Sequence, residues 1–119
     1  MVNEYLPVIS SFFITKNVFT MTLNIQTVRF DADTRLTDHI RKKVIKLSTY
    51  HDKIIKVDVF LKLDNVVHQI KDKVAEIKVT IPRSEVFVKS SSKSFEESFD
   101  DAYESICTQI KRKKEKLTT

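Results

Sequence analysis

Glycine is absent from all 119 residues. That excludes a phosphate-binding P-loop and a dinucleotide-binding glycine turn, because both need backbone positions that only glycine adopts without steric cost. Tryptophan is absent too, and no strand-like stretch carries aromatics spaced to stack successive bases, so a single-strand-binding platform is not expected. The one cysteine, Cys107, has no partner for an internal disulfide, which fits a reducing compartment. It falls beside the apolar stripe of the last helix, a position for packing rather than nucleophilic chemistry. His39, His51 and His68 stand apart, with no cysteine or carboxylate at metal-ligand spacing, and each reads as a surface side chain. Ser90, Ser91, Ser92 and Ser94 cluster without the glycine-flanked elbow of a hydrolase nucleophile. No catalytic residue, metal, cofactor or small-molecule substrate is expected, and the chain does not read as an enzyme.

What remains is ample for one folded domain. A hydrophobic fraction of 41% is ordinary for a globular protein and too high for a disordered one. Lysine and arginine outnumber the acids by 21 to 16, giving a net charge of +5 and a pI near 9.3, a balance that favours polyanionic partners. Residues 1–20 differ from the rest. Their apolar middle, Leu6 to Ile14, is too short to span a bilayer, and Glu4 stands where a signal peptide carries basic residues. They are expected to be an N-terminal extension, disordered or upstream of a true start at Met21, with residues 21–119 forming the single functional domain.

From Thr22 to Phe30 the pattern alternates, with Leu23, Ile25 and then Val28 or Phe30 inward and Asn24 and Gln26 outward: a half-buried strand. Asp33 or Thr34 can cap a helix that runs to about Tyr50, with Leu36, Ile40, Val44 and Leu47 on one face. At 100° per residue Arg35, Lys42 and Lys46 point away from that face, while Arg41 and Lys43 flank it. Two further strands, Ile54 to Leu63 and Lys73 to Ile81, bury Val57, Val59, Leu61 and Leu63, then Ala75, Ile77, Val79 and Ile81. Asp64 to Asp72 between them reads as a loop or as frayed strand ends. Pro82-Arg83-Ser84 is a short turn, and Glu85 to Ser90 pairs back antiparallel with Val86 and Val88 inward. The expected fold is α+β in the order β-α-β-β-β-α, a four-stranded sheet with both helices on its apolar face, like a double-stranded-RNA-binding domain.

The last helix, Ser94 to about Leu117, carries Phe95, Phe99, Ala102, Tyr103, Ile106 and Ile110 on one stripe. Ser94 and Glu97 form an S-x-x-E capping box. Glu96, Glu97, Asp100, Asp101 and Glu104 crowd its first turns; Lys111, Arg112, Lys113, Lys114 and Lys116 crowd its last. Complementing the helix dipole accounts for one or two charges per end, at about 0.3–1 kcal/mol each. Five cations in six residues exceed that need, so a phosphate-binding patch stands beside the dipole reading. With Arg35, Arg41, Lys42, Lys43 and Lys46 of the first helix they make one basic set, suited to the phosphates of a folded RNA recognised by shape.

Several segments carry a family resemblance: the opening M-T-L-N-I-Q, the first-helix ending K-K-V-I-K-L-S-T-Y-H-D-K-I, the strand V-D-V-F-L-K-L-D, and the closing S-F-E-E-S-F-D-D-A-Y-E-S-I-C-T-Q-I-K-R-K-K-E-K-L. Met21 to Leu117 resembles the short-form ribosome hibernation-promoting factors, the ribosome-associated translation inhibitor (protein Y) family of bacteria. The resemblance implies a cytoplasmic protein, monomeric when free and without a membrane partner. It would bind the small ribosomal subunit in the channel for messenger and transfer RNA, contact ribosomal RNA phosphates, and silence translation in stationary phase or stress. By position, Lys43 and Lys46 match the family's helix-one lysines, Tyr50, Asp52 and Ile54 its Y-x-D-[KR]-I corner, and Lys111 to Lys116 its basic tail helix. Ser105 replaces a lysine common midway along that helix. The C-terminal dimerisation domain of long-form members has no counterpart in the residues to Thr119. The alternatives are a generic structured-RNA binder and a protein-interaction module using the exposed sheet face, where Lys56, Asp58, Lys62, Glu76 and Lys78 mix both signs. The start at Met21 is checked by intact mass of the native protein, which is expected to correspond to a chain beginning there.

Overall fold

The structure, a computed structural model, describes residues 8–16, 19–28, 32–51, 53–65 and 71–118. Its elements are β1 (Val8–Lys16), β2 (Phe19–Val28), α1 (Thr34–Tyr50), β3 (Lys56–Asn65), β4 (Lys71–Ile81), β5 (Ser84–Ser92) and α2 (Phe95–Thr118). The strands form one sheet in the order β1-β2-β3-β4-β5. Parallel β2 and β3 are joined through α1, as a parallel pair requires a crossover, and every other neighbouring pair is antiparallel.

The expected β-α-β-β-β-α core is present as β2 to α2, with both helices on one side of the sheet. Leu23, Ile25, Val57, Val59, Leu61, Ala75, Ile77, Val79, Ile81 and Val86 line that side, and they pack with Leu36, Ile40, Val44 and Leu47 of α1 and Phe99, Ala102, Tyr103, Ile106 and Ile110 of α2. Each fully buried aliphatic side chain contributes about 1.5–3 kcal/mol. In β2 the inward position after Ile25 belongs to Thr27, which is buried, and Val28 lies on the opposite face; period-two geometry overrides the greater hydrophobicity of valine. Phe30 lies outside the described residues.

Within residues 1–20, the described segments 8–16 and 19–20 are extended. The backbone of Val8–Lys16 pairs with β2, from Val8 opposite Thr27 to Lys16 opposite Phe19, and adds a fifth strand. A stretch rich in Val, Ile, Phe and Thr suits a strand, and β2 would otherwise present a row of unpaired backbone groups at the sheet edge. The run lacks clean alternation, which hid it from a periodicity reading. Strands β3 and β4 also extend further than their alternation indicated, to Asn65 and from Lys71.

Both helices are capped as their sequences suggested. The Asp33 carboxylate accepts from Leu36 N–H at 2.8 Å, and Ser94 Oγ accepts from Glu97 N–H at 3.1 Å. The reciprocal half of the capping box is supplied differently: Ser94 N–H donates to Ser92 Oγ at 3.3 Å. Fully buried Ser98 fastens the start of α2 to the sheet by donating to the Lys73 carbonyl at 2.5 Å.

In the β4–β5 turn, Pro82 precedes Arg83, which adopts φ 67°. This is the left-handed conformation that a type II turn requires at its second central residue, where glycine is the usual occupant. For an L-residue with a Cβ that conformation costs about 1–2 kcal/mol. Arg83→Gly is therefore expected to stabilise the fold by up to about 1 kcal/mol, less whatever glycine's unfolded-state entropy takes back. Thermal denaturation should show a rise of a few degrees.

Candidate nucleic-acid interface

α1 and α2 run parallel. His39 Nε2 lies 2.7 Å from Asp100 Oδ1, its ring meets Phe99 edge-on, and four residues further along Lys43 Nζ sits 5.3 Å from the centre of the Tyr103 ring. Contacts therefore advance in the same direction on both helices. Position 46 of α1 lies near position 106 of α2, and the basic end of α2 projects past the end of α1. The acidic first half of α2 lies alongside α1, where Asp100 is the partner of His39.

This packing sorts the ten expected RNA-binding residues. Lys42 and Lys46 form an exposed ridge along α1, and Lys43, half-buried, is held over the Tyr103 ring, a cation–π arrangement. Lys111 is exposed and, at 100° per residue, leaves α2 on the flank that faces α1; Arg112, also exposed, leaves on the opposite flank above β5. Lys113 turns inward, donating to Ser84 Oγ and, at 3.4 Å, to the Glu85 carbonyl. The side chains of Lys114 and Lys116 lie outside the described residues, as does that of Tyr50, and Asp52 lies outside them entirely.

Two members of the set are separated from the rest. Arg35, in the first turn of α1, lies about 24 Å along the helix axis from the level of Lys111 at 1.5 Å per residue. Arg41 emerges on the flank of α1 away from α2 and pairs with Asp38 at 3.3 Å. Two cations that helix periodicity could not reveal join the patch. Exposed Lys53 follows the end of α1, and exposed Arg83 sits in the turn beside Ser84, where Lys113 is anchored. The signal for both was topological: strand order places the β4–β5 turn and the start of β3 at one end of the sheet, under the C-termini of both helices. Among the described residues no ion pair engages Lys42, Lys46, Lys53, Arg83, Lys111 or Arg112.

The histidines differ from their reading as surface residues. His51 is buried and accepts from Lys53 N–H at 3.2 Å, so its ring orders the chain leaving α1. His39 is half-buried against Asp100; His68 lies outside the described residues. On the open face of the sheet, Asn24 donates to buried Asp58 at 3.1 Å, and Lys56–Asp58 and Lys62–Glu76 are ion pairs at 3.5 and 3.4 Å. That face mixes both signs, with two of its lysines held in ion pairs. The helix side carries the uncompensated charge, and no described helix is long and apolar enough to cross a membrane.

The fold and site define a class: a small α+β domain that presents cations along one of two parallel helices and at the end of the other. A family model described as Sigma 54 modulation protein / S30EA ribosomal protein matches residues 23–118, and the chain belongs to that family of ribosome-associated proteins. The fold is similar to a ribosomal subunit interface protein from Coxiella burnetii, with TM-score 0.69 and 16% identity over 77% of this chain and 96% of that one. It is also similar to the Protein Y N-terminal domain of Thermus thermophilus, with TM-score 0.62 and 26% identity over 76% of this chain and 92% of that one. No curated protein matches the chain.

Lys111 and Lys113 are two residues apart and opposite in role. Lys113→Met should lower unfolding free energy by about 0.5–1.5 kcal/mol through loss of its hydrogen bonds to β5. Lys111→Met should stay within about 0.5 kcal/mol, as exposed substitutions usually do. Urea denaturation of the two variants makes the comparison.

Proposed function

We propose that this protein binds the small ribosomal subunit in the channel for messenger and transfer RNA and holds ribosomes inactive when growth stops. The exposed ridge of α1 and the basic end of α2 meet ribosomal RNA phosphates, and the body of the domain occludes the channel in the cytoplasm. The observation that carries this reading is the group of exposed cations without an ion pair among the described residues, Lys42 and Lys46 along α1 and Lys53, Arg83 and Lys111 at the end of the sheet where both helices terminate. Phosphates would release counterions from such a surface, so affinity falls steeply with salt. The open face mixes both signs, with Lys56 and Lys62 held in ion pairs, and offers a polyanion less attraction, which favours RNA at the helices. Membership of a ribosome-associated family selects the ribosome over RNA duplexes in general.

The test is co-sedimentation with vacant ribosomes on sucrose gradients at low and physiological salt. Migration with the small subunit and intact ribosomes that survives the higher salt, and resists competition by duplex RNA, is expected. The triple variant Lys42→Glu, Lys46→Glu, Lys111→Glu should remain at the top of the gradient while melting within a few degrees of the parent. Each single Lys→Ala change should reduce the slope of log affinity against log salt by about 1. Protein left at the top under both salts, or a triple variant that still co-sediments, would sink the proposal.

A further inference from the structure

Among the described residues the sheet edge at β5 is open. Ser84 is opposite Ile81, Val86 opposite Val79 and Val88 opposite Ile77, across the two-residue turn Pro82–Arg83. In such a hairpin the residues flanking the turn exchange both backbone hydrogen bonds, and bonded pairs recur at every second residue. Ser84, Val86, Val88 and Ser90 therefore use their N–H and C=O groups on β4. Glu85, Phe87 and Lys89 direct theirs outward, the Glu85 carbonyl also accepting from Lys113 at 3.4 Å, and among the described residues no strand lies beyond β5. All three side chains are exposed on the open face, and Phe87, at the middle of the strand, is 53% exposed.

We propose that β5 pairs antiparallel with β5 of a second copy of this chain, about a two-fold axis at Phe87, so that two sheets become one. The outward backbone groups require odd-numbered positions to face odd-numbered ones, and an axis at Phe87 does this. It sets Glu85 opposite Lys89 of the second copy and Lys89 opposite its Glu85. Directly opposed unlike charges stabilise a strand pair, whereas like charges there would separate it. Phe87 meets Phe87 of the second copy, covering the large apolar side chain that the strand leaves exposed. On the helix face Val86 meets Val88. Sliding the register by one bonded pair in one direction sets Glu85 against Phe87; in the other it sets Lys89 against Phe87 and Glu85 against Ser91. Both slides lose the two ion pairs. Charges on an edge strand normally oppose pairing; these form their own complement.

The helix above this edge repeats the arrangement. Asp101, Glu104, Ser105, Thr108 and Arg112 line an open groove with Ser90 of β5. α2 is fixed to the sheet at Ser98, which bonds to Lys73 opposite Ser92, and at Lys113, which bonds to Ser84. Between those anchors the level of Phe87 falls near Thr108. An axis there runs the two α2 helices antiparallel and brings Glu104 of each towards Arg112 of the other. Lys42, Lys46 and Lys111 face away from the axis. One short strand and one helix flank per copy make a small interface, below the ~1,200 Å² of stable complexes, so the chain is a monomer when dilute and pairs at high concentration.

Sedimentation equilibrium of the purified full chain, from low micromolar to near-millimolar, tests this. The average mass should rise from that of one 13.9 kDa chain towards twice that value. Glu85→Lys or Lys89→Glu alone should weaken association at least tenfold, and the double swap should restore it. Phe87→Pro should abolish association, since the N–H it removes points away from β4, to where no strand lies among the described residues; circular dichroism confirms that this variant folds, and the charge variants decide the matter if it does not. A mass fixed at one chain across the range overturns the proposal. Self-association unaffected by the single swaps, or a double swap that fails to restore it, overturns it equally.

Discussion

The contact between α1 and α2 sets the polarity of the whole surface. His39 against Asp100 and Lys43 over Tyr103 fix the helices parallel and in one register. Parallel helices add their dipoles, so the sheet end where both terminate carries two partial negative charges and the other end two partial positive ones. The acids of the first half of α2 lie at the positive end, beside the basic side chains of α1. No basic residue occupies the last turn of α1, so the negative end is left for cations from elsewhere: Lys53 in the following segment and Lys111 on the neighbouring helix. Dipole complementation and a phosphate-binding patch are then not rivals. The dipoles explain why cations gather at this end, and the number without an acidic partner is what remains for a ligand.

The fold was largely legible because its core follows simple periods. Four strands alternate at two, both helices repeat near three and a half, and the buried sets Leu36–Ile40–Val44–Leu47 and Phe99–Ala102–Ile106–Ile110 follow from spacing alone. Where the reading failed, a neighbour in space decided the outcome. Val8–Lys16 becomes a strand by pairing with β2, and its own pattern does not announce this. Thr27 is buried because it shares a face with Leu23 and Ile25, although valine follows it. His51 is buried because the chain turns around its ring.

The site was legible in composition and only partly in arrangement. Charge counting found the tail cations but could not show that Lys113 is tied to Ser84, that Arg41 is held by Asp38, or that Arg35 stands at the acidic end. Nor could it assign Arg83 to the patch, because a turn separated from the end of α2 by a whole strand and most of a helix meets it only through the antiparallel order of β4, β5 and α2. A list of basic residues therefore overestimates a binding surface wherever some are already paired, and omits those that the topology delivers.

Lys42 and Lys46 argue most directly for an external anion. They stand four apart on the exposed ridge of α1, with no acidic partner among the described residues, and like charges at that spacing destabilise a helix by about 0.2–0.5 kcal/mol. Lys43 between them is held over an aromatic ring, and Lys113 gains hydrogen bonds that offset its partial burial. Lys42 and Lys46 gain nothing comparable from the fold. Their mutual repulsion is a small cost that packing does not recover, and a bound phosphate would reverse its sign by placing negative charge between the two ammonium groups. A structural role leaves that cost unexplained; a polyanion makes it part of the binding energy.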